Sequence, residues 1–383
     1  MKSPWPTKKL GEACEIISPG IKEFEGSKKY VATADVDCDK ITNFTEITYK
    51  NRPIRANIEV KENDVLVARM AETKKFLMAD KNLQNNYIFS TGFAALRVKE
   101  ELVPKYLFYF LTTKDFNLQK DKLAVGATQK AINNPALKKI KIPIPPLKIQ
   151  QKIVERLDAI KKAQELNDKQ IELAEELFQS LLHRELDPKG KNWEVKKLGE
   201  LFYRQNETVL PVKDFPSDNF NYIGLENIES NSGMLINFTK KLGENIKSSK
   251  FIFRKEDILY GRLRPYLNKV WLAEFDGICS TDIWVFRSKQ DCVLPLVLAN
   301  ILRSKEILMK TSSFMTGSNL PRVRKDYFDS IKIALPPLET QQKIVEKLSA
   351  VQEYKKKLLN QKQKLQELFE SVLNKSFKGE WVG

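Results

Sequence analysis

Histidine and cysteine are nearly absent: one His and four Cys occur in 383 residues. Cys14, Cys38, Cys279 and Cys292 are scattered with no CxxC pair. Neither a zinc site nor a disulfide framework is therefore expected. A single histidine, His183, excludes most metal clusters and nucleophiles that need an imidazole beside them. At the end of a long helical run it reads as a solvated, helix-terminal side chain. The chain has no P-loop and no GxGxxG, and no cofactor is expected. A DNA amino-methyltransferase would also need an Asn/Asp-Pro-Pro-aromatic loop. The nearest string, Asn133-Asn134-Pro135-Ala136, lacks the second proline and the aromatic that stacks on a flipped base. Glu256, Asp257, Asp276 and Asp282 make a poor nuclease set, since no acid-x-Lys follows at a suitable spacing. Asp257 moreover matches Asp64 in a turn before a strand, a structural position. No apolar run reaches transmembrane length, and MKSPWPTKKL has no signal-peptide core, so a cytoplasmic protein without membrane contact is expected.

Positive charge is abundant. There are 65 Lys and Arg against 49 Asp and Glu, a net charge of +16. An excess of this size points to a polyanionic partner, most often nucleic acid. It sits in two stretches, net +8 over residues 1–146 and net +6 over residues 187–337. The helical runs 147–186 and 338–380 carry only −1 and +3. The basic stretches are the expected nucleic-acid surfaces, and the helical runs are expected to face protein.

The chain is also duplicated. PPLKIQQKIVERL (145–157) and PPLETQQKIVEKL (336–348) agree at ten of thirteen positions, at an offset of 191. Trp5 with Lys8-Lys9-Leu10-Gly11-Glu12 matches Trp193 with Lys196-Lys197-Leu198-Gly199-Glu200. NDVLVAR (63–69) matches EDILYGR (256–262), Gly126 matches Gly317, and KIKIPIPPL (139–147) matches SIKIALPPL (330–338). A repeat of this length is a whole domain copied once.

Each copy reads as mixed α/β. Short β-branched or aromatic strands are expected in DVLVAR, YIFSTGFAALRV, DILYGR and DIWVFRS. A helix is expected over 104–116 and over 295–310, each with Pro in its first turn. A Gly-containing loop, a short strand and the Pro-Pro follow. The expected fold is α+β: two similar globular units at 1–146 and 187–337, a long helix at 147–186, and a long helix with a C-terminal tail at 338–383. Val351, Tyr354, Leu358, Gln361, Leu365, Leu368 and Val372 recur at three and four residues, a coiled-coil seam. Ile153, Leu157, Ile160, Leu166, Ile171, Ala174, Leu177 and Leu181 form a less regular stripe in the first copy. Paired antiparallel, the helices would span about 55 Å with one unit at each end. Val154, Phe178, Val345 and Phe369 lie off the stripe and are free to pack on a globular unit or on another protein.

Two loops per unit have nucleic-acid character. The first follows the DVLVAR or DILYGR strand. In the second copy it runs Arg262-Leu263-Arg264-Pro265-Tyr266-Leu267-Asn268-Lys269. Arg can fork onto guanine and Asn onto adenine, while Lys and Tyr serve phosphates. Its counterpart holds Arg69, Lys74 and Lys75 and shares only the first arginine. The second loop is Gly126-Ala127-Thr128-Gln129-Lys130 in one copy. In the other it is Gly317-Ser318-Asn319-Leu320-Pro321-Arg322-Val323-Arg324. Glycine followed by small polar residues lets the backbone approach a phosphate. The plainer alternatives are a solvated basic loop and a connecting turn.

This doubled pattern resembles the specificity subunit of type I restriction–modification systems, and the resemblance covers essentially the whole chain. It implies two target-recognition domains, one for each half of a split double-stranded DNA site, and spacer helices between them. It implies a non-catalytic subunit that recruits two modification subunits and, through them, restriction subunits. It places Arg69, Lys74, Thr128 and Gln129 in the DNA loops of the first domain. It places Arg262, Arg264, Tyr266, Lys269, Ser318, Asn319 and Arg322 in those of the second. The competing expectations are a free-standing DNA-modifying or DNA-cleaving enzyme, disfavoured by the missing motifs, and a coiled-coil scaffold, disfavoured by the charge on the globular units.

Overall fold

A computed structural model describes residues 5–126, 129–317 and 320–380. The chain divides into two compact units, Met1–Lys169 with Leu359–Gly383, and Gln170–Leu358. Each long helix is thus shared between the units. Residues 147–169 and 359–378 belong to the first, and residues 170–186 and 338–358 to the second.

The first unit is built on two four-stranded sheets. One has the order Thr45–Ile47, Lys28–Val31, Tyr87–Ser90, Ala56–Ile58. The other has the order Cys14–Ile16, Phe93–Val98, Val65–Ala68, Phe76–Met78. The expected strand over 87–98 is therefore two strands, and the Thr91-Gly92 turn carries the chain from one sheet to the other. The second sheet is covered on both faces. Val65 and Val67 enter the core shared with the helices, while Leu66 and Ala68 enter the core between the sheets. Alternate residues of a strand point to opposite faces, so a doubly covered strand reads as an unbroken apolar run. The second unit repeats this. Phe202–Gln205, Ile283–Ser288, Ile258–Gly261 and Val270–Leu272 form its doubly covered sheet. Ile258 and Tyr260 point to one core and Leu259 to the other.

The helical segment behind each sheet is broken where one helix was expected. Pro104–Thr112 gives way to Lys114–Leu123, and Pro295–Arg303 to Lys305–Ser313. The breaks fall at Thr113 and Ser304, whose backbones are extended. Thr113 Oγ1 accepts from Phe116 N at 3.1 Å, and Ser304 Oγ from Ile307 N at 3.4 Å. A hydroxyl that caps the next helix competes with continuing the previous one.

The repeated motifs turn out to be the joints of each unit. Thr7–Lys9 pairs antiparallel with Lys141–Pro143, and Glu194–Lys197 with Lys332–Leu335, so each unit's entering and leaving strands are zipped together. In the Leu-Gly-Glu that follows, Leu10 and Leu198 are fully buried. Glu12 and Glu200 accept from the backbone N–H of Lys9 and Lys197 at 3.1 and 2.9 Å. Gly11 and Gly199 leave room for a neighbour: a Cβ there would lie 2.8 Å from Lys138 Cβ and 2.9 Å from Asp329 Cβ. At the start of each long helix one signature glutamine is completely buried. Gln150 donates to the carbonyls of Glu101 and Pro145 at 2.9 and 2.8 Å and accepts from Val103 N at 2.8 Å. Gln341 does the same with Cys292, Pro336 and Leu294 at 3.0, 2.8 and 2.9 Å.

The long helices are Leu147–Leu186 and Leu338–Lys378. Within the first unit they run antiparallel, as the Asp168–Lys362 ion pair at 2.9 Å and the Gln164 Nε2 to Leu365 O bond at 3.3 Å require. Within the second, Glu175–Lys355 at 2.6 Å and Glu185–Lys347 at 2.9 Å set the same sense. The buried stripe departs from the expected seam. Leu358 and Val372 are buried, but Tyr354, Leu368, Leu166 and Leu177 are each about half exposed, while Phe178 is buried with Leu182, Ile344 and Leu348. Each helical stretch packs on the globular core of the unit it belongs to as well as on the partner helix, which turns the apolar face toward that core. Phe369 meets Tyr109 at 6.1 Å, and Phe377 meets Tyr106 at 4.7 Å. Val154 and Val345 also pack on their globular cores, and Phe178 belongs to the helix pair.

Candidate nucleic-acid interface

In both units the two candidate loops lie side by side, joined by the same pair of main-chain bonds. In the first unit Ile132 N donates to Arg69 O and Ala71 N to Lys130 O, each at 2.9 Å. In the second, Val323 N donates to Arg262 O at 3.2 Å and Arg264 N to Pro321 O at 2.8 Å. The turn between the sheets completes the edge. Arg69 N donates to Gly92 O at 2.9 Å, and Arg262 N to Asp282 O at 3.1 Å. Segments some sixty residues apart are thereby held as one surface.

The first unit stiffens this edge from behind. Lys120 is fully buried on the helix Lys114–Leu123, and its Nζ donates to Thr73 O at 2.6 Å. Burial lowers its pKa from the ordinary lysine value, against the pull of Asp121. Asp121 accepts from Glu72 N at 2.9 Å, where the backbone turns left-handed (φ 61°). Gly126 has φ 142°, and a Cβ there would sit 2.2 Å from Gln129 O, so that loop tolerates only glycine.

The second unit uses the loop's own backbone. Arg264 and Asn268 flank Pro265–Leu267 and are both left-handed, at φ 51° and 49°. Asn268 is buried and donates to Arg303 O at 2.9 Å. Arg303 donates to Asn300 Oδ1 at 2.8 Å and to the carbonyl of Ser232. Burial pushes its guanidinium down to about 10, opposed by Glu175.

The candidate side chains divide into engaged and presented groups. Arg69 donates Nε to Phe93 O at 3.1 Å and Nη1 to Ile132 O at 3.3 Å, and burial lowers its pKa. Lys75 donates to Thr33 O at 2.7 Å, and Lys269 to Leu225 O at 2.6 Å. Arg322 forks onto Asp282 Oδ1 at 3.1 and 3.0 Å. Arg262 is half-buried, with its Nε lacking a hydrogen-bond partner among the described residues. The side chains of Lys74, Gln129, Lys130, Arg264, Tyr266 and Arg324 are exposed. Thr128, Ser318 and Asn319 lie outside the described residues.

Lys120, whose ammonium holds Thr73, and Arg303, whose carbonyl holds Asn268, are loop supports that sequence reading missed. The one signal for Lys120 is its spacing after Phe116 and Asn117, which puts it on the buried face of its helix. Among the described residues no group of His, Cys, Asp or Glu is placed to hold a metal ion, and no helix is long and apolar enough to cross a membrane.

The sequence matches the type I restriction modification DNA specificity domain twice, over residues 2–176 and 190–368. The chain belongs to that family. It is similar to the MjaVIII specificity subunit of Methanocaldococcus jannaschii, 22% identical over 410 residues, covering 97% of this chain and 91% of that protein. It is also similar to the EcoDI specificity subunit of Escherichia coli, 27% identical over 202 residues, covering 52% of this chain but only 44% of that protein. Its fold is shared with a chain from a structure concerned with complex assembly and conformational transition of the type I R-M system. The TM-score is 0.66 at 20% identity, with all of both chains covered. The tandem family match corresponds to the duplication, one recognition domain in each unit, and recognition of a DNA target is the role of the family.

Proposed function

We propose that this chain reads a bipartite duplex DNA sequence, one half per unit, as the non-catalytic specificity subunit of a type I restriction–modification complex in the cytoplasm. One observation carries the reading. Both units hold the same two loops together with the same main-chain bonds, while the side chains on those loops differ. A common frame with divergent loops suits two readers of two different half-sites. Arg264, Tyr266 and Arg324 are the presented candidates for the second half, and Lys74, Gln129 and Lys130 for the first. Arg69, Lys75 and Lys269 shape the loops. Arg262 and Arg322 lie between these groups, and Arg322 reaches a base only by leaving Asp282.

The half-exposed Leu166, Leu173 and Leu177 on the first long helix, and Tyr354 and Leu368 on the second, support these helices as the docking faces for two modification subunits and, through them, restriction subunits. The deciding experiment assays methyl transfer to DNA by the purified chain, alone and with its modification subunit. The pattern is read for the chain and for a chimera carrying a relative's residues 1–146. Methylation should require the modification subunit, and the chimera should change one half of the target. Methyl transfer by the chain alone, or a chimera that alters both halves, overturns the reading.

A further inference from the structure

A third basic loop of the first unit lies outside the two described above. It joins the strands Thr45–Ile47 and Ala56–Ile58 and reads Thr48-Tyr49-Lys50-Asn51-Arg52-Pro53-Ile54-Arg55. The loop is held rigidly by its own side chains. Thr48 N donates to Asn51 Oδ1 at 2.7 Å, and Asn51 N to Thr48 Oγ1 at 3.4 Å. Ala56 N donates to Pro53 O at 2.8 Å, which closes a turn with Ile54 and Arg55 at its centre. The Arg52 guanidinium lies 3.9 Å from the centre of the Tyr49 ring and donates to Tyr49 O at 2.5 Å. Tyr49 in turn meets Phe24 edge-on at 5.8 Å.

This scaffold ends in Ile54, whose side chain is 96% exposed. Its exposed neighbours are Lys50, Asn51, Pro53 and Arg55. A lone aliphatic group ringed by polar and cationic residues offers no contiguous apolar area for a protein partner. It does match the composition of side chains that wedge between stacked base pairs, with cations placed for the phosphates on either side. The foot of the loop runs directly into the reading edge. Thr91 N donates to Arg55 O at 2.9 Å, Gly92 O accepts from Arg69 N at 2.9 Å, and Arg69 Nε donates to Phe93 O at 3.1 Å.

We propose that Ile54 is an apolar wedge that enters a base-pair step of the first half-site, with Lys50 and Arg55 on the flanking phosphates. The proposal rests on the reading of the first unit as a DNA reader. Unstacking a step costs free energy, and a loop already rigid loses little entropy on insertion. Pyrimidine–purine steps unstack most easily, so the wedge selects a TA or CA/TG step without any hydrogen bond to a base. Among its described residues the second unit has no such device before the corresponding strand. Its strand Lys250–Phe253 pairs antiparallel with Gly277–Cys279, as Ala56–Ile58 does with Tyr87–Ser90. The approach to that strand is Gly243-Glu244-Asn245-Ile246-Lys247-Ser248-Ser249, whose one aliphatic residue, Ile246, is buried. The wedge therefore belongs to one half of the target.

The test uses the full chain assembled with its modification subunits, on duplexes of the target defined by its methylation pattern. 2-Aminopurine is placed in turn at each step of each half-site. Fluorescence should rise on binding at one step of the first half and at none of the second. Ile54→Ala should abolish that rise and weaken binding roughly tenfold, the scale expected when a wedge is lost. Ile54→Leu should keep both. Because Ile54 packs on almost nothing, both variants should melt with the wild type. An Ile54→Ala complex that binds within about twofold and keeps the fluorescence rise, or that is impaired only in assembling with the modification subunits, overturns the wedge alone. No sequence-selective binding by the wild type overturns the DNA reading of the first unit, and the wedge with it.

Discussion

The two units solve one problem in two ways. In the first, the loop after the central strand is propped from behind by Lys120 and Asp121. In the second it is bent into shape by two left-handed residues around Pro265–Leu267 and tied down through Asn268. Beneath the loops the units keep the same buried ion pair. Asp64 is buried and takes a two-pronged bond from Arg97 at 2.8 and 2.7 Å, together with Lys61 N at 2.6 Å. Asp257 takes the same from Arg287 at 2.9 and 2.8 Å, together with Arg254 N at 2.8 Å. The duplication has thus preserved groups that satisfy buried backbone and charge, where a loss costs stability. It has let the exposed groups drift. Loops can diverge when the frame, and not their own contacts, fixes where they begin and end.

The largest expected effect tests whether the frame is one device used twice. Replacing Gln150 or Gln341 with alanine leaves two carbonyls and one N–H without their buried partners. At about 1–3 kcal/mol for each unsatisfied group, either change should cost about 3 kcal/mol or more. Urea unfolding of the full chain should show similar losses for the two variants. A loss confined to one would mean that the shared PPLxxQQ signature does different jobs in the two copies.

Next in size is Arg264→Ala. Its side chain is exposed beside Tyr266, and its backbone is left-handed at φ 51°. Alanine keeps that backbone strain while removing the guanidinium, so a change in binding reports on the side chain alone. If Arg264 reads a guanine, specific binding should weaken by about 1–3 kcal/mol and preference should relax in the second half-site only. Methylation profiling of the assembled complex measures this. Relaxed preference in the first half as well would break the independence of the two units.

How much of this was legible in the sequence depends on what each residue answers to. The offset of 191 and the PPLxxQQ signature located the duplication and the start of each long helix, because those residues have fixed packing and hydrogen-bonding duties. DVLVAR and DILYGR were readable as strands since doubly covered strands are apolar throughout. The helix breaks at Thr113 and Ser304 were not readable. A hydroxyl inside an apolar helical pattern is neutral until tertiary packing lets it cap. The seam misplaced Leu166, Leu177, Tyr354 and Leu368 because a heptad count treats the partner helix as the only surface, whereas stretches of each helix also lean on the globular core of the unit they belong to. In the loops, sequence singled out basic residues. It could not separate Lys75 and Lys269, whose ammonium groups are spent on nearby carbonyls, from Lys74 and Lys130, which face solvent. That division depends on which carbonyl the fold brings within reach.

The smallest expected effect turns on that last division. Lys130 and Lys269 stand on corresponding edges, both basic, but Lys130 is exposed while Lys269 donates to Leu225 O at 2.6 Å. A lysine that neutralises a phosphate releases a counterion, so its removal weakens all sequences alike and lowers the salt slope of binding by about one. Lys130→Ala should do this and leave sequence preference intact. Lys269→Ala removes a tie between the loop and residues 225–227, so it should leave the salt slope unchanged and loosen selectivity in the second half-site. The measurement is the full chain's affinity for duplex DNA at graded salt, on its own target and on unrelated sequence. A lower slope for Lys269→Ala would mean that its ammonium leaves Leu225 for a phosphate on binding. The two units would then be alike in their phosphate contacts, and their difference would lie in the base-facing side chains alone.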